Sequence, residues 1–373
     1  MKIAFLTPIY QLPDSPARGS GGVISNRVLM ERLAQEHELL VHAAYSDVVG
    51  YHRIGPSAGG YELSGMLLAT TSSRFKRFFA AKAWRTEAIR RALEFKPDVV
   101  LAATSGLHTA LELRRMTGVP VIAIVRAVEH LRQSEGGNWN ARRELQWGRS
   151  DTSALDECNA IVFCSEFLRD VYKPHVPRPE LGVVYPPLDL TLSTNRWDGS
   201  TERVLLIGDS HRKGWDVLED LAGHDTTRIY MHTGRSPVSA ANREASGLQA
   251  LGWVGDREEL FGRCDVIVAP SRQEPFGRVA VEALSQGKAV LVSNTGGLPE
   301  AVSREPALIV DGWEWSEWLK RLNWLREHPD EARAAVARAR NEVEKFEAER
   351  QYSTLVSLIQ RVSEDDTPTP PLR

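Results

Sequence analysis

The sequence predicts an α/β protein made of two Rossmann-like domains, each a parallel sheet with helices on both faces. Three observations lead to that expectation. The chain has 373 residues, more than one hydrophobic core usually serves. Short apolar runs of strand length alternate with longer runs of helical period, the pattern that builds parallel sheets. The alternation breaks once, at Pro186, Pro187 and the polar stretch 191–201, and then starts afresh at Val204.

In chain order, residues 2–7 form an apolar strand, 8–20 a polar loop with proline and glycine, and 21–35 a helix. A strand at 37–44, a helix at 82–95 and strands at 98–102 and 119–125 continue the alternation. The strands 159–164 and 181–184 complete the first half. The second half opens with a strand at 204–207, a Lys213-Gly214 turn and a helix at 215–221. Strands at 228–232, 265–269 and 289–292 follow, and helices at 316–326, 330–344 and 347–362 close the chain. The expected division is a first domain over 1–188, a second over 189–346, a last helix over 347–364 and a disordered, proline-rich tail over 365–373.

Composition narrows the function. A formal net charge of −3 provides no global attraction to nucleic acid, and no partner of that class is expected. No apolar run is long enough to span a bilayer, and residues 1–10 read as a strand rather than a secretory leader. Cys158, Cys164 and Cys264 are odd in number and lack metal-ligand spacing, which suits buried reduced thiols in a cytoplasmic protein. No D-x-D pair occurs inside a folded segment, so neither a metal nor another cofactor is expected.

The chemistry concentrates in residues 271–301. Glu274 and Glu282 stand eight positions apart around the turn Pro275-Phe276-Gly277. Gly277 and the run Val279, Ala280, Val281, Ala283, Leu284 mark a buried helix. The first turn of that helix, with Arg278 and Val279, leaves backbone N–H groups free, an environment that favours a diphosphate. Glu282, further in among small apolar residues, needs polar partners if it faces the protein, and a ribose diol would supply them. Glu274 precedes the turn, so it can reach past the phosphates to whatever they carry, and a sugar fits there. An isolated glutamate at a helix start is ordinarily a solvated carboxylate. Here strand, loop, helix, strand and loop succeed one another, which puts both at the carboxyl edge of a parallel sheet.

With Ser271, Glu274, Pro275, Phe276, Gly277, Glu282, Ala283, Gly287, Gly296, Gly297, Leu298, Pro299 and Glu300 all in frame, the stretch resembles the retaining glycosyltransferases of family 4. The resemblance extends to a Gly21-Gly22 turn and to Tyr185-Pro186-Pro187 with Asp189, and so covers most of the chain. It implies the GT-B architecture, two Rossmann-like domains facing a central cleft, an acceptor-side domain first and a donor-binding domain second. The last helix would cross back to the first domain.

Further roles follow from the resemblance. Breaking an anomeric C–O bond leaves a diphosphate whose growing charge needs cations. Arg212 and Lys213, directly after a strand, are the candidates, a planar fork and a compact point charge. The family usually has an arginine directly after the strand-ending glycine; here Asp209 stands there, and Arg212 would replace it from within the loop. Gly21 and Gly22 would face the donor diphosphate, since a backbone without side chains approaches closely. The family's donor-contacting histidine falls on Arg126, with His130 the nearest histidine, and the two alternatives stand open. Trp253 and Val254 match the nucleobase position, where an aromatic ring serves core packing equally well. Glu274 would orient the sugar hydroxyls.

The implied function is transfer of a sugar, with retention, from a nucleotide-diphosphate sugar to a hydroxyl of a glycan, lipid-linked or small-molecule acceptor. The implied mechanism is front-side attack in which the donor phosphate takes the acceptor's proton. The alternatives are a nucleotide-sugar 2-epimerase and a noncatalytic sugar-nucleotide-binding protein on the same fold. Residues 74–96 carry eight basic residues against two acidic ones, interleaved with Phe75, Phe78, Phe79 and Trp84. Such a segment suits either peripheral contact with an anionic membrane on its inner face or an ordinary surface helix burying Ile89 and Leu93.

Overall fold

A computed structural model describes residues 1–10, 12, 21–46, 50–54, 60–65, 74–103, 106–128, 152–190, 192–234, 248–252 and 254–364. The chain divides into two compact units, Met1–Pro187 with Ala348–Arg373, and Leu188–Glu347. The expected tail at 365–373 lies outside the described residues.

In the first unit the elements are β1 (Lys2–Tyr10), α1 (Gly21–Glu36), β2 (Glu38–Ser46), β3 (Gly50–Ile54), β4 (Tyr61–Gly65), α2 (Arg74–Phe95), β5 (Val99–Ala103), α3 (Leu107–Thr117), β6 (Val121–Val125), α4 (Thr152–Asp156), β7 (Ala160–Phe163), α5 (Glu166–Tyr172) and β8 (Glu180–Val183). The second holds β9 (Arg203–Ile207), α6 (Trp215–His224), β10 (Ile229–Thr233), β11 (Leu248–Ala250), α7 (Arg257–Gly262), β12 (Val266–Ala269), α8 (Arg278–Ser285), β13 (Ala289–Ser293), α9 (Leu298–Ala301), β14 (Ile309–Val310), α10 (Trp315–Glu327) and α11 (Pro329–Asn341). The last helix, α12 (Ala348–Glu364), returns to the first unit.

The first sheet runs β3-β4-β2-β1-β5-β6-β7-β8. Every pairing is parallel except β3 with β4, which corrects the all-parallel expectation at one edge. These two strands have five residues each and are flanked by glycines, too short to register as apolar runs. Strand β1 continues through Pro8, where a loop is expected. Its pairing to β5 stops at Leu6, while its pairing to β2 reaches Tyr10 and skips Pro8. Among the described residues, one side of the strand has no pairing partner at the proline, the position a residue without an N–H tolerates.

The core of this unit joins Ile3, Phe5, Leu29, Leu33, Val41, Val99, Leu101 and Ile122 to Tyr352, Leu355, Leu358 and Ile359 of α12. The α12 residues recur at helical spacing, so one face is buried. Gly182 of β8 lets that face close in, since a Cβ there would stand 3.2 Å from Leu358 Cδ2. Tyr352 Oη donates to Glu36 at 2.8 Å and fastens the helix to the end of α1.

Helix α2 buries Ala81, Trp84, Ala88 and Ala92 at spacings of three and four. That stripe replaces the expected one: Ile89 is half-buried and Leu93 is exposed, because the wide indole of Trp84 takes the contact face. The side chains of residues 74–80 lie outside the described residues. Of the basic residues beyond them, Arg85 pairs with Glu112 and Arg90 and Arg91 pair with Glu87. No helix among the described residues is long and apolar enough to cross a membrane.

His42 of β2 is buried beside Trp84, with Nε2 3.2 Å from the Trp84 carbonyl oxygen. Burial favours the neutral ring and lowers its pKa from 6.5 to about 4. Between those values the unfolded chain binds the proton and the folded one does not. Stability from this group is therefore complete above about 6.5 and is lost as pH falls toward about 4, by roughly 3 kcal/mol in all. Urea unfolding of wild type and His42→Asn across that range should show a shallower pH dependence in the variant.

The second sheet runs β11-β10-β9-β12-β13-β14, all parallel. The chain moves outward from β9 to β11, then crosses back to β12 and proceeds the other way. The carboxyl ends of β9 and β12 thus flank the topological switch point, where open α/β sheets bind ligands. The stretch 192–201 is held against this unit rather than hanging as a free connector. Arg340 Nη1 donates to the Asn195 carbonyl at 2.8 Å, and Trp197 is buried.

Candidate active site

Two loops leave the switch point. After β9 comes Gly208, then a short 3-10 turn, His211–Lys213, and Gly214 at the start of α6. After β12 come Pro270 to Phe276, then Gly277 at the start of α8. The loops touch. A Cβ on Gly214 would stand 2.2 Å from the Pro270 carbonyl oxygen, and Gly214 has φ +79, so glycine is required there on both counts. The Arg272 N–H donates to the Arg212 carbonyl at 2.9 Å.

Across this seam Lys213 Nζ donates to Glu274 Oε2. Their side chains are 30% and 17% exposed, so the pair is sheltered but open on one side, as a ligand-binding pair must be. Arg212 is exposed on the same turn. Glu274 is held from behind by the Gly296-Gly297 turn that follows β13. The Gly297 N–H donates to the Glu274 carbonyl at 3.0 Å. A Cβ on Gly296 would lie 2.0 Å from that oxygen, so any larger residue would push Glu274 out of place.

Gly277 has φ +114 and turns the chain into α8. Pro275, Arg278 and Val279 are half-buried beside it. Phe276 is 2% exposed and meets Phe346 edge to face at 5.0 Å, so its ring belongs to the core and any donor contact at this position falls to the backbone. One turn into α8, Glu282 has Arg278 Nη2 3.3 Å from Oε1 and Arg257 Nη1 3.0 Å from Oε2. Oε2 is buried and makes no aligned hydrogen bond among the described residues, which leaves it an acceptor for a hydroxyl. Val254 is half-buried between β11 and α7. Trp253 lies outside the described residues.

The structure therefore brings together Arg212, Lys213, Glu274, Pro275, Gly277, Arg278, Val279 and Glu282 in the second unit. Of the other site residues, Phe276 and Val254 also lie in the second unit, while Gly21, Gly22 and Arg126 belong to the first. Gly21 and Gly22 open α1, and Ser25 Oγ donates to the Gly21 carbonyl at 2.8 Å. Arg126 follows β6, and its Nε donates to Asn26 Oδ1 of α1 at 2.7 Å. His130 lies outside the described residues, so the choice between it and Arg126 is not met by geometry.

Three residues here were not singled out from the sequence: Arg272, Asp216 and Arg257. Arg272 forms a two-pronged pair with Asp216, and Arg257 meets Glu282. Arg272 is two positions before Glu274 and Asp216 three after Lys213, so closeness to a motif was the available signal. Their pairing depends on β9 lying beside β12. Cys158, Cys164 and Cys264 are buried thiols outside any disulfide, and burial pushes Cys158 and Cys264 up to about 12, far from a reactive thiolate.

Comparison with known proteins agrees in kind. The family model described as "Glycosyltransferase Family 4" matches residues 19–192, and that described as "Glycosyl transferases group 1" matches residues 240–342. A D-inositol 3-phosphate glycosyltransferase from Rhodococcus opacus (strain B4) is 37% identical over 151 residues. That match covers 39% of this chain and 30% of the relative, so the chain spans less than a third of the curated relative it matches. Among solved structures, the sucrose-phosphate synthase of Thermosynechococcus elongatus superposes with a TM-score of 0.77 at 16% identity, over 97% of this chain and 99% of that one. The Anabaena protein HepE (Alr3699), solved in complex with UDP and glucose, gives a TM-score of 0.71 at 16% identity, over 97% of this chain and all of the other (100%).

Proposed function

As a member of the family 4 glycosyltransferases, with the two-domain GT-B fold, this chain, we propose, transfers a sugar from a nucleotide-diphosphate sugar to an acceptor hydroxyl with retention at the anomeric carbon. The observation that carries the proposal is the Lys213–Glu274 pair, which joins the two loops at the switch point of the second sheet. Lys213 and Arg212 would stabilise the departing diphosphate together with the positive end of the α8 helix dipole. Glu274 would hold the sugar hydroxyls, and Glu282 the ribose. The donor phosphate would accept the acceptor's proton, so the reaction needs no protein nucleophile. We read the transfer as metal-independent because side-chain cations stand where the leaving group's charge develops and the sequence lacks a D-x-D pair. In the first unit Gly21, Gly22 and Arg126 would serve the donor phosphates or sugar.

The acceptor classes are a glycan, a lipid-linked sugar or a small molecule. Carboxylate partners for Arg85, Arg90 and Arg91 favour an ordinary surface helix over a membrane contact for α2. Buried, high-pKa thiols suit a cytoplasmic location.

The test is product analysis by proton NMR with UDP-glucose first, since UDP and glucose occupy the Anabaena structure, and then with GDP-, dTDP- and ADP-sugars. The reading expects an axial donor linkage to reappear in a new glycoside. A donor epimerised at C2 would make the chain an epimerase, and an unchanged donor with every acceptor class would leave a binding protein. Charge-assisted hydrogen bonds contribute roughly 1.5–3 kcal/mol, so Glu282→Ala should weaken nucleoside diphosphate binding by about 10- to 100-fold in calorimetric titration. Unchanged affinity would remove the ribose from Glu282.

A further inference from the structure

Arg272 belongs to the Glu274 loop yet spends its hydrogen bonds on the other loop. Nη1 and Nη2 donate to Asp216 Oδ1 and Oδ2 at 2.8 and 2.6 Å, the fork-to-carboxylate geometry that fixes direction as well as distance. Nη1 also donates to the His211 carbonyl at 3.0 Å, and the Arg272 N–H donates to the Arg212 carbonyl at 2.9 Å. One residue therefore grips the turn bearing Arg212 and Lys213 by its backbone at two points and by the helix behind it at a third. The guanidinium lies 5.5 Å from the centre of the Trp313 ring, whose Nε1 donates to the Ser271 carbonyl at 3.4 Å, so Arg272 is braced from its own side. Burial by itself would raise the pKa of the Asp216 carboxyl, but the hydrogen bonds from Arg272, a backbone hydrogen bond and the nearby positive charges of Arg272 and His211 together hold it below the ordinary value, so the carboxylate is charged at neutral pH.

We propose that Arg272, with Asp216 as its counterpart, is a positioning residue that sets the His211–Lys213 turn so that its cations meet the terminal phosphate of the donor. The inference rests on the reading of Arg212 and Lys213 as leaving-group cations. Its physical basis is that a point charge on a flexible stem stabilises a phosphate only where its backbone is fixed, and a displacement near 1 Å costs on the order of 100-fold in rate. Lysine in place of Arg272 keeps the charge but cannot span both Asp216 oxygens and the His211 carbonyl.

The experiment compares Arg272→Ala, Arg272→Lys, Asp216→Asn and the double variant Arg272→Ala/Asp216→Asn with wild type. For each, affinities for UDP and UMP are measured by calorimetry, with the GDP, ADP and dTDP pairs in parallel, alongside kcat, KM and the unfolding midpoint. The ratio of diphosphate to monophosphate affinity reports on the terminal phosphate alone. A residue that merely supported the fold would lower both affinities together and leave the ratio intact. The clamp predicts that each single variant lowers the ratio by about 10-fold and kcat by about 10- to 100-fold, with the midpoint little changed. The double variant should be no worse than the singles, since they disable one device. A wild-type ratio in Arg272→Lys and Asp216→Asn, the two variants that conserve size, overturns the clamp even if the alanine variant fails to fold. A wild-type protein that prefers no diphosphate over its monophosphate instead overturns the underlying reading of Arg212 and Lys213.

Discussion

Replacing Lys213 with alanine is expected to lower kcat for sugar transfer by roughly 100- to 1,000-fold, the usual cost of removing one group that stabilises charge developing in a transition state. The expectation rests on where the ammonium is held. Lys213 meets Glu274 across the seam between the two loops, and both side chains are largely shielded from solvent. Charge on the leaving diphosphate grows as the anomeric bond breaks, so the loss should fall on kcat more than on KM. Glu274→Gln complements it. The amide keeps the shape but loses the negative charge that steadies Lys213, and a sugar hydroxyl donating to it would meet a weaker acceptor. Steady-state kinetics on both variants, with unfolding midpoints to show that the fold persists, checks the prediction. A Lys213→Ala enzyme within a few-fold of wild type in kcat would remove the leaving group from this turn.

The second large effect concerns the fold of the second unit. Asp225, after α6, accepts from Arg228 Nη1 at 2.6 Å and from Tyr230 Oη at 2.8 Å on Oδ2. Its Oδ1 accepts from Thr227 N and Oγ1 at 2.9 and 2.6 Å. Arg228 Nη2 continues to Asn323 Oδ1 of α10 at 2.9 Å. The two charged side chains are only 6% and 2% exposed. Asp225→Ala strips a buried guanidinium of its counter-ion, and breaking such a pair from one side costs about 3–5 kcal/mol. Urea unfolding should show that loss with the slope unchanged. The carboxyl also has a pH signature. Burial alone would raise its pKa, but hydrogen bonds from Thr227, Arg228 and Tyr230 bring it down to about 2 from 3.8. Its contribution is therefore complete above about 3.8 and is lost as pH falls through about 2. The variant should lack that component of acid unfolding.

Much of the architecture was legible because its signals are local. Parallel strands buried on both faces read as apolar runs, as Val121–Val125 and Ala289–Ser293 do, with every residue buried. Elements that lack a run were harder to see. Strands β3 and β4 are short, and α3 was passed over although Leu107, Ala110, Leu111 and Arg114 lie buried on one face. Pro8 marked a loop by its chemistry, while the strand passes through it because, among the described residues, its other edge has no partner there.

The site shows the same division. Glu274, Gly277 and Glu282 belong to one loop-and-helix segment, so spacing along the chain conveys their arrangement. The partners that orient them come from elsewhere. Arg257 reaches Glu282 from α7, and Asp216 reaches Arg272 from α6. The Arg272–Asp216 pairing follows from β9 lying beside β12, and the Arg257–Glu282 pairing joins the helices before and after β12; neither is encoded by spacing along the chain. The Phe276 ring, in frame with the motif, turned out to be core packing, since a hydrophobic residue at a helix start reads alike in either role.

The measurement that bears most directly on nucleotide-sugar transfer is thermal unfolding of wild type and Lys213→Ala with UDP, GDP, dTDP and ADP and their sugar conjugates. A ligand at about 100 times its dissociation constant stabilises the folded state by roughly 2.7 kcal/mol, enough to raise the midpoint by several degrees. The account predicts such a rise for wild type with one base, present with both the diphosphate and its sugar conjugate, and in Lys213→Ala a rise with the free diphosphate, which carries the departing charge in full, that is reduced more than the rise with the sugar conjugate. A wild-type midpoint that no nucleotide moves would contradict it.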